Sequence, residues 1–181
     1  MKSTVDTFRY DPADPTPTVG GLLLLANAAG PRDNRPIEAR ADVLVYSSPV
    51  LERPVEVIGP VTATLYLRAS SPYHDVFVRL CDVEPNGRSV NICDGLVRLR
   101  PGSHPEQPDG TIAITIDLWP VAHRFRPGHR LRLQVSGGAH PRYVRNPGTP
   151  DPVATAVDLK AVDVQVWHDP DHPSAVRLPV F

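Results

Sequence analysis

Near its C-terminus the chain reads His168-Asp169-Pro170-Asp171-His172, which places four potential metal ligands within five residues. Imidazole and carboxylate together would suit zinc or another divalent ion. Pro170 and Pro173 bar the helix that would bring His168 and His172 onto one face. The run therefore reads as a turn, and neither a metal nor a cofactor is assigned to the chain. Acyl transfer would instead need an activated nucleophile, which serine hydrolases present on a sharp turn of the form G-x-S-x-G. No such pentad occurs. The nearest, Gly87-Arg88-Ser89-Val90-Asn91, leads out of a hairpin turn into a strand. Cys81 and Cys93 both lie in strand-like runs, where they are either two buried thiols or a cross-strand pair. No residue is given a catalytic role.

A grip on phosphate is the other chemistry to weigh, because residues 124–138 read RFRPGHRLRLQVSGG. Side chains alternate across a strand, so Leu131, Leu133 and Val135 share one face and Arg130, Arg132 and Gln134 the other. That is a half-buried strand whose outer face is either solvated or an interface. The net charge of −1 argues against a nucleic-acid binder, which carries a large basic excess. Gly20-Gly21 has no helix after it and so makes no phosphate cradle.

These residues need elements to hold them. A chain of 181 residues with 41% hydrophobic and 22% charged content is globular and long enough for one cored domain. Its 22 prolines and 12 glycines leave few windows for helices. Alternating or β-rich runs recur instead at 42–46, 61–69, 76–84, 88–100, 111–118, 130–136, 161–167 and 175–180. Asn86-Gly87 and Asp109-Gly110 supply turn signals. Only Pro120 to Phe125 invites a helical turn, with proline at its start. The fold class is all-β: an antiparallel β-sandwich of jelly-roll (galactose-binding-like) type with at most short helical turns. Residues 1–18 read as an extended lead-in and 19–181 as a single sandwich domain. No apolar run approaches the roughly 18 residues of a membrane span, and the N-terminus lacks the apolar segment of a secretory signal. A cytoplasmic setting is expected, without membrane or nucleic-acid partners.

Four consecutive leucines, Leu22 to Leu25, cannot all face one core from a strand. Either both faces are buried, or one is an apolar wall offered to a partner, with a homodimer one outcome.

Taken in order, YDPADPTPTVGG (10–21), VLVYSSPVLERPVEVIGPVTATLYL (43–67), DVFVRLCDVEPNGRSVNICDGLVRLR (75–100), ITIDLWPVAHRFRPGHRLRLQVS (114–136), PRYVRNP (141–147) and HDPDHPSAVRLPV (168–180) resemble one known pattern. It is that of the C-terminal domain of the cocaine esterase and Xaa-Pro dipeptidyl-peptidase (CocE/NonD) hydrolases, from about Thr7 to Phe181. In that family the Ser-His-Asp triad lies in a separate α/β-hydrolase domain. The resemblance thus implies an accessory domain, non-catalytic by itself, that braces the catalytic domain, whose substrate is a small ester or amide. It also implies that Leu24 and Leu25 wall the acyl pocket, although the cocaine-esterase branch has an aromatic where Leu25 stands. A second departure is Gly137-Gly138-Ala139-His140-Pro141-Arg142, where the family has S-S-N-F-P-R. The alternative is a stand-alone carbohydrate- or ligand-binding module, for which Trp119 and Trp167 are the only tryptophans available.

Overall fold

The computed structural model describes residues 5–23 and 28–181. Its regular elements are β1 (Val5–Tyr10), α1 (Arg35–Glu38), β2 (Val43–Ser47), β3 (Val55–Ala69), β4 (His74–Val83), β5 (Ser89–Leu99), β6 (Ile112–Phe125), β7 (Arg130–Ser136), β8 (Val162–Trp167) and β9 (Ala175–Arg177). One sheet runs β1-β8-β3-β6, with β9 also beside β3, and the other runs β2-β7-β4-β5. All these pairings are antiparallel. From β1 to β8 every connection except the β4–β5 hairpin crosses between sheets, which is the jelly-roll winding.

The core follows the period-2 pattern. Val61, Ala63, Leu65 and Leu67 of β3 meet Ile114, Ile116 and Leu118 of β6 and Val162, Val164 and Val166 of β8, all buried. Val76, Val78 and Leu80 of β4 face them from the second sheet. Each such side chain contributes about 1.5–3 kcal/mol by leaving water. The β4–β5 turn closes as the sequence implies: Gly87, at φ +86°, donates to the Glu84 carbonyl at 2.8 Å.

Three expectations change. The lead-in is not loose at Val5–Tyr10, which pairs with β8 and buries Phe8 and Tyr10. Its alternation covers few residues and is overshadowed by the proline-rich run that follows. Pro120 to Phe125 is not helical, because β6 continues through it and pairs with Val55–Gly59. The register shifts between Gly59 and Val61, and Pro60 and Pro120 lie at that bulge, where a missing backbone donor costs no ladder bond. The one helix among the described residues lies elsewhere, at Arg35–Glu38. There Pro36 stands in the first turn, where its lost N–H has no partner to miss, and Ile37 anchors it in the core.

The arginine face of β7 is covered by that helix. Arg132 donates to Glu38 Oε2 at 2.6 Å and Gln134 to Glu38 Oε1 at 2.9 Å, while Arg130 reaches the Ser48 carbonyl. It is an interface within the domain.

The 137–142 departure has a packing reason. A Cβ on Gly137 would lie 2.4–2.5 Å from the Tyr10 ring, whereas one on Gly138 would sit in ordinary contact at 3.5 Å. The glycine thus admits a tyrosine from β1. His140 is exposed, and only its backbone is engaged, with Thr16 and Thr18. The segment after it is structural: Asn146 donates to Asp75 at 2.8 Å and Arg145 to the Pro12 carbonyl.

At the C-terminal loop, His172 lies between two carboxylates, with Nδ1 2.9 Å from Asp169 Oδ1 and Nε2 2.8 Å from Asp109 Oδ2. Only the imidazolium can donate from both nitrogens. Burial opposes its charge, but the bonds to Asp169 and Asp109 prevail and hold its pKa above the usual imidazole value. In an NMR titration the His172 midpoint should lie above about 6.5, and Asp109→Asn should lower it. A group whose folded pKa is raised stabilises fully below its unfolded value and loses that contribution as pH rises through the folded one. Chain stability should therefore decline across that window, and less so in His172→Gln. A midpoint at or below the ordinary value refutes this clasp. Separately, Gly137→Ala should destabilise the chain by about 1–3 kcal/mol through overpacking against Tyr10 in urea unfolding, and Gly138→Ala by much less.

Candidate functional site

Leu24 and Leu25, the residues marked for a pocket wall, lie outside the described residues. The chain on either side of them is closely fixed. Gly21 and Gly30 exchange backbone hydrogen bonds at 2.9 and 3.0 Å, which holds those two positions side by side. Gly20, Gly21 and Gly30 all have φ between +67° and +77°, the left-handed region that glycine enters without strain. Space demands glycine as well: a Cβ on Gly20 would lie 2.5 Å from both Asn91 Oδ1 and the Gly30 carbonyl.

Beneath this loop base lies a buried ionic cluster on the outer face of β4 and β5. Arg79 donates to Asp94 Oδ2 from Nε at 3.2 Å and Nη2 at 2.9 Å. Its Nη1 reaches the Val19 carbonyl at 2.5 Å and Asn34 Oδ1 at 2.8 Å. Arg142 bonds the other oxygen of Asp94. The side chains of Arg79, Asp94 and Arg142 are 2%, 4% and 8% exposed. Asn91 completes the clamp, accepting from the Arg32 amide at 2.8 Å and donating to the Gly30 carbonyl at 3.3 Å. Sequence reasoning overlooked these residues. Their signal was a charge inside an apolar strand run, Arg79 in VFVRLC and Asp94 in ICDGL.

Above the clamp the surface is apolar. Leu22 is 61% exposed and Trp119 57%, and between them lies a hollow of about 310 Å³ whose lining includes Pro31, Ile92 and Pro120. Trp119 is set outward by the β6 bulge. The other tryptophan is occupied: Trp167 has the Arg68 guanidinium over its ring and His172 beside it.

The residues weighed for chemistry are tied up elsewhere. Ser89 is fully buried and its hydroxyl bonds to Glu38, a strand residue as expected. Cys81 and Cys93 are free, buried thiols. Burial pushes both up to about 12, which keeps them protonated at neutral pH and poor as nucleophiles. His168 turns away from His172 to Asp6, at 2.9 Å, so the cluster splits into separate contacts. Among the described residues no three His, Cys, Asp or Glu side chains converge on a metal position, and no helix is long and apolar enough to cross a membrane. What the arrangement offers is an exposed leucine on a closely held base beside an exposed tryptophan, an apolar patch of the kind that marks interaction sites.

Known proteins carry the same domain. The chain is 41% identical over 186 residues to the cocaine esterase of Rhodococcus sp., an alignment covering 98% of this chain and 32% of that protein. It superposes on an aminopeptidase from a marine sediment Thaumarchaeota archaeon with TM-score 0.88 at 27% identity, covering 100% of this chain and 34% of the other. An alpha-amino acid ester hydrolase gives the same TM-score and identity, with 99% and 33% coverage. The chain thus spans about a third of the length of these relatives. Residues 1–176 match the family described as the X-Pro dipeptidyl-peptidase C-terminal non-catalytic domain. A sandwich that buries Ser89 and both of its thiols fits that description, and the chain belongs to this family.

Proposed function

We propose that the chain is the bracing accessory domain of an α/β-serine hydrolase acting on small esters or amides, and that its Gly20–Gly30 loop is held against the catalytic domain. The carrying observation is the pairing of the exposed Leu22–Trp119 face with the ionic clamp beneath it. Covering Leu22 and Trp119 would contribute on the order of 1–2 kcal/mol each, and the clamp spares the complex the cost of ordering the loop. Leu24 and Leu25, which follow Leu22 in the chain, then form part of the acyl-pocket wall. Relatives named as an esterase, an amino acid ester hydrolase and an aminopeptidase support ester or amide bonds as the class. Two free thiols suit a reducing compartment, which supports a cytoplasmic setting. A carbohydrate module is less well supported, since Trp119 stands beside leucine and proline rather than a polar groove.

The test mixes the chain with the catalytic part of the Rhodococcus relative, produced without its C-terminal third, and measures association by calorimetry. Binding is expected, and Trp119→Asp should weaken it at least tenfold while Val157→Asp, at the 88% exposed Val157, leaves it unchanged. Self-association of the chain that is insensitive to Trp119→Asp, with no hetero-complex, contradicts the reading. So does turnover of activated esters by the chain alone that one serine substitution abolishes. The clamp has its own signature: Asp94→Asn should destabilise the chain by about 3 kcal/mol or more in urea unfolding, because it leaves two buried arginines without their carboxylate.

A further inference from the structure

At the opposite edge of the sandwich from Trp119, a cleft of about 680 Å³ opens between the two sheets. The second sheet runs from β2 at one edge to β5 at the other. The docking face lies by β5 and β6, and the cleft by β2, β7, β8 and β9, so covering the first leaves the mouth of the second free. The floor is Leu65, Leu80 and Val166, and the walls are Leu131, Leu133 and Val176. Protein interiors pack as densely as organic crystals, and facing sheets normally interdigitate at about 10 Å. An apolar void that reaches core residues is therefore unusual, and its volume falls within the roughly 300–1,000 Å³ of small-molecule sites.

The polar groups are gathered at one end. Asp6 Oδ2 faces His168 Nε2 at 2.9 Å, and the His168 ring meets the Tyr46 ring edge-on. The Tyr46 hydroxyl is buried and makes no hydrogen bond of good geometry, with the Asp6 carboxylate the charged group beside it. Arg132, the only guanidinium on the lining, is already engaged by Glu38 and Ser47. An anionic ligand would thus find a carboxylate and, among the described residues of the lining, no guanidinium or ammonium left unengaged. A donor head, by contrast, meets the Asp6 carboxylate, whose Oδ2 faces His168 and which the Tyr46 hydroxyl also approaches.

We propose that this cleft binds a small molecule with an apolar body and a hydroxyl head, the body lying between the sheets and the hydroxyl donating to Asp6. A flat bicyclic body fills such a slot, and its contact with the aliphatic floor replaces water that those leucines and valines now meet. Tyr46 and His168 shape the polar end, and Asp6 selects against acids.

The probe is 2-naphthylmethanol, titrated into the chain carrying ¹³C-labelled leucine and valine methyls. Saturable shifts are expected at Leu65, Leu131, Leu133, Val166 and Val176, with Leu22 unmoved. Asp6→Asn should weaken binding about fivefold, the difference between a charged and a neutral acceptor. The matched acid, 2-naphthoate, should bind at least tenfold more weakly. Val176→Trp, which fills the slot, should abolish the saturable shifts while keeping a cooperative melting transition. Shifts that do not saturate in the parent chain, or 2-naphthoate binding as tightly as the alcohol, overturn the proposal whether or not Val176→Trp folds. Unchanged binding by a folded Val176→Trp does so too.

Discussion

Asp94 holds two guanidinium groups out of water, and much of this domain is arranged so that it can. Removing three charges from solvent is costly, and mutual attraction offsets the cost only when the remaining donors are satisfied. Here they are, because Arg79 spends its spare nitrogen on the Val19 carbonyl and Asn34. Those partners lie before and after the Gly20-Gly21 pair, so the cluster exists only if Val19 and Asn34 are held against β4 and β5. In turn Val19 and the Gly20-Gly21 pair lie outside any strand or helix that could fix them. Cluster and cover define each other, and that mutual dependence sets the loop's position.

The cover also explains why β4 does not look like a strand of an ordinary wet-faced sheet. An antiparallel sheet usually alternates apolar and polar residues, yet every residue of β4 is buried. Val76, Val78 and Leu80 face the core, while Asp75, Arg79 and Cys81 face the covering layer, where Asp75 meets Arg98 and Asn146. The domain is two sheets plus a third, irregular layer. Buried charge within it specifies one seating of the loops, where apolar contacts alone would tolerate several.

This layering marks the boundary of what the sequence reveals. Period-2 alternation made β3 and β7 legible, and Asn86-Gly87 made the hairpin legible, since both signals are local. The β6 bulge at Pro120 was not, because proline after Trp119 reads the same whether it begins a helical turn or sits opposite Pro60. Nor was β1, whose place rests on Tyr10 meeting Gly137, residues far apart in the chain. The site was legible only in part. The resemblance pointed to the Gly-Gly loop, but the clamp needed Arg79, Asp94 and Arg142 brought together from three segments. Arg79 within an apolar run was the visible trace, and taking that run as core obscured it.

The sandwich is asymmetric in a way that suits an accessory role. At the β5–β6 edge the sheets pinch together: a Cβ on Gly95 would fall 2.3 Å from the Asp117 carbonyl, an approach that only glycine allows. At the β2–β8 edge the sheets meet where Tyr10 packs on Gly137, and the cleft opens between them toward Asp6 and Tyr46. The pinch joins the two sheets directly under the apolar face, with the Leu22 loop anchored on the second sheet and Trp119 carried by the first. A patch drawn from two sheets would shear if the sheets could slide. Gly95 removes that freedom, so Leu22 and Trp119 act as one surface. Rigidity of this kind matters most in a domain that supplies position rather than chemistry, because a wall displaced by a fraction of an ångström no longer shapes the space beside it.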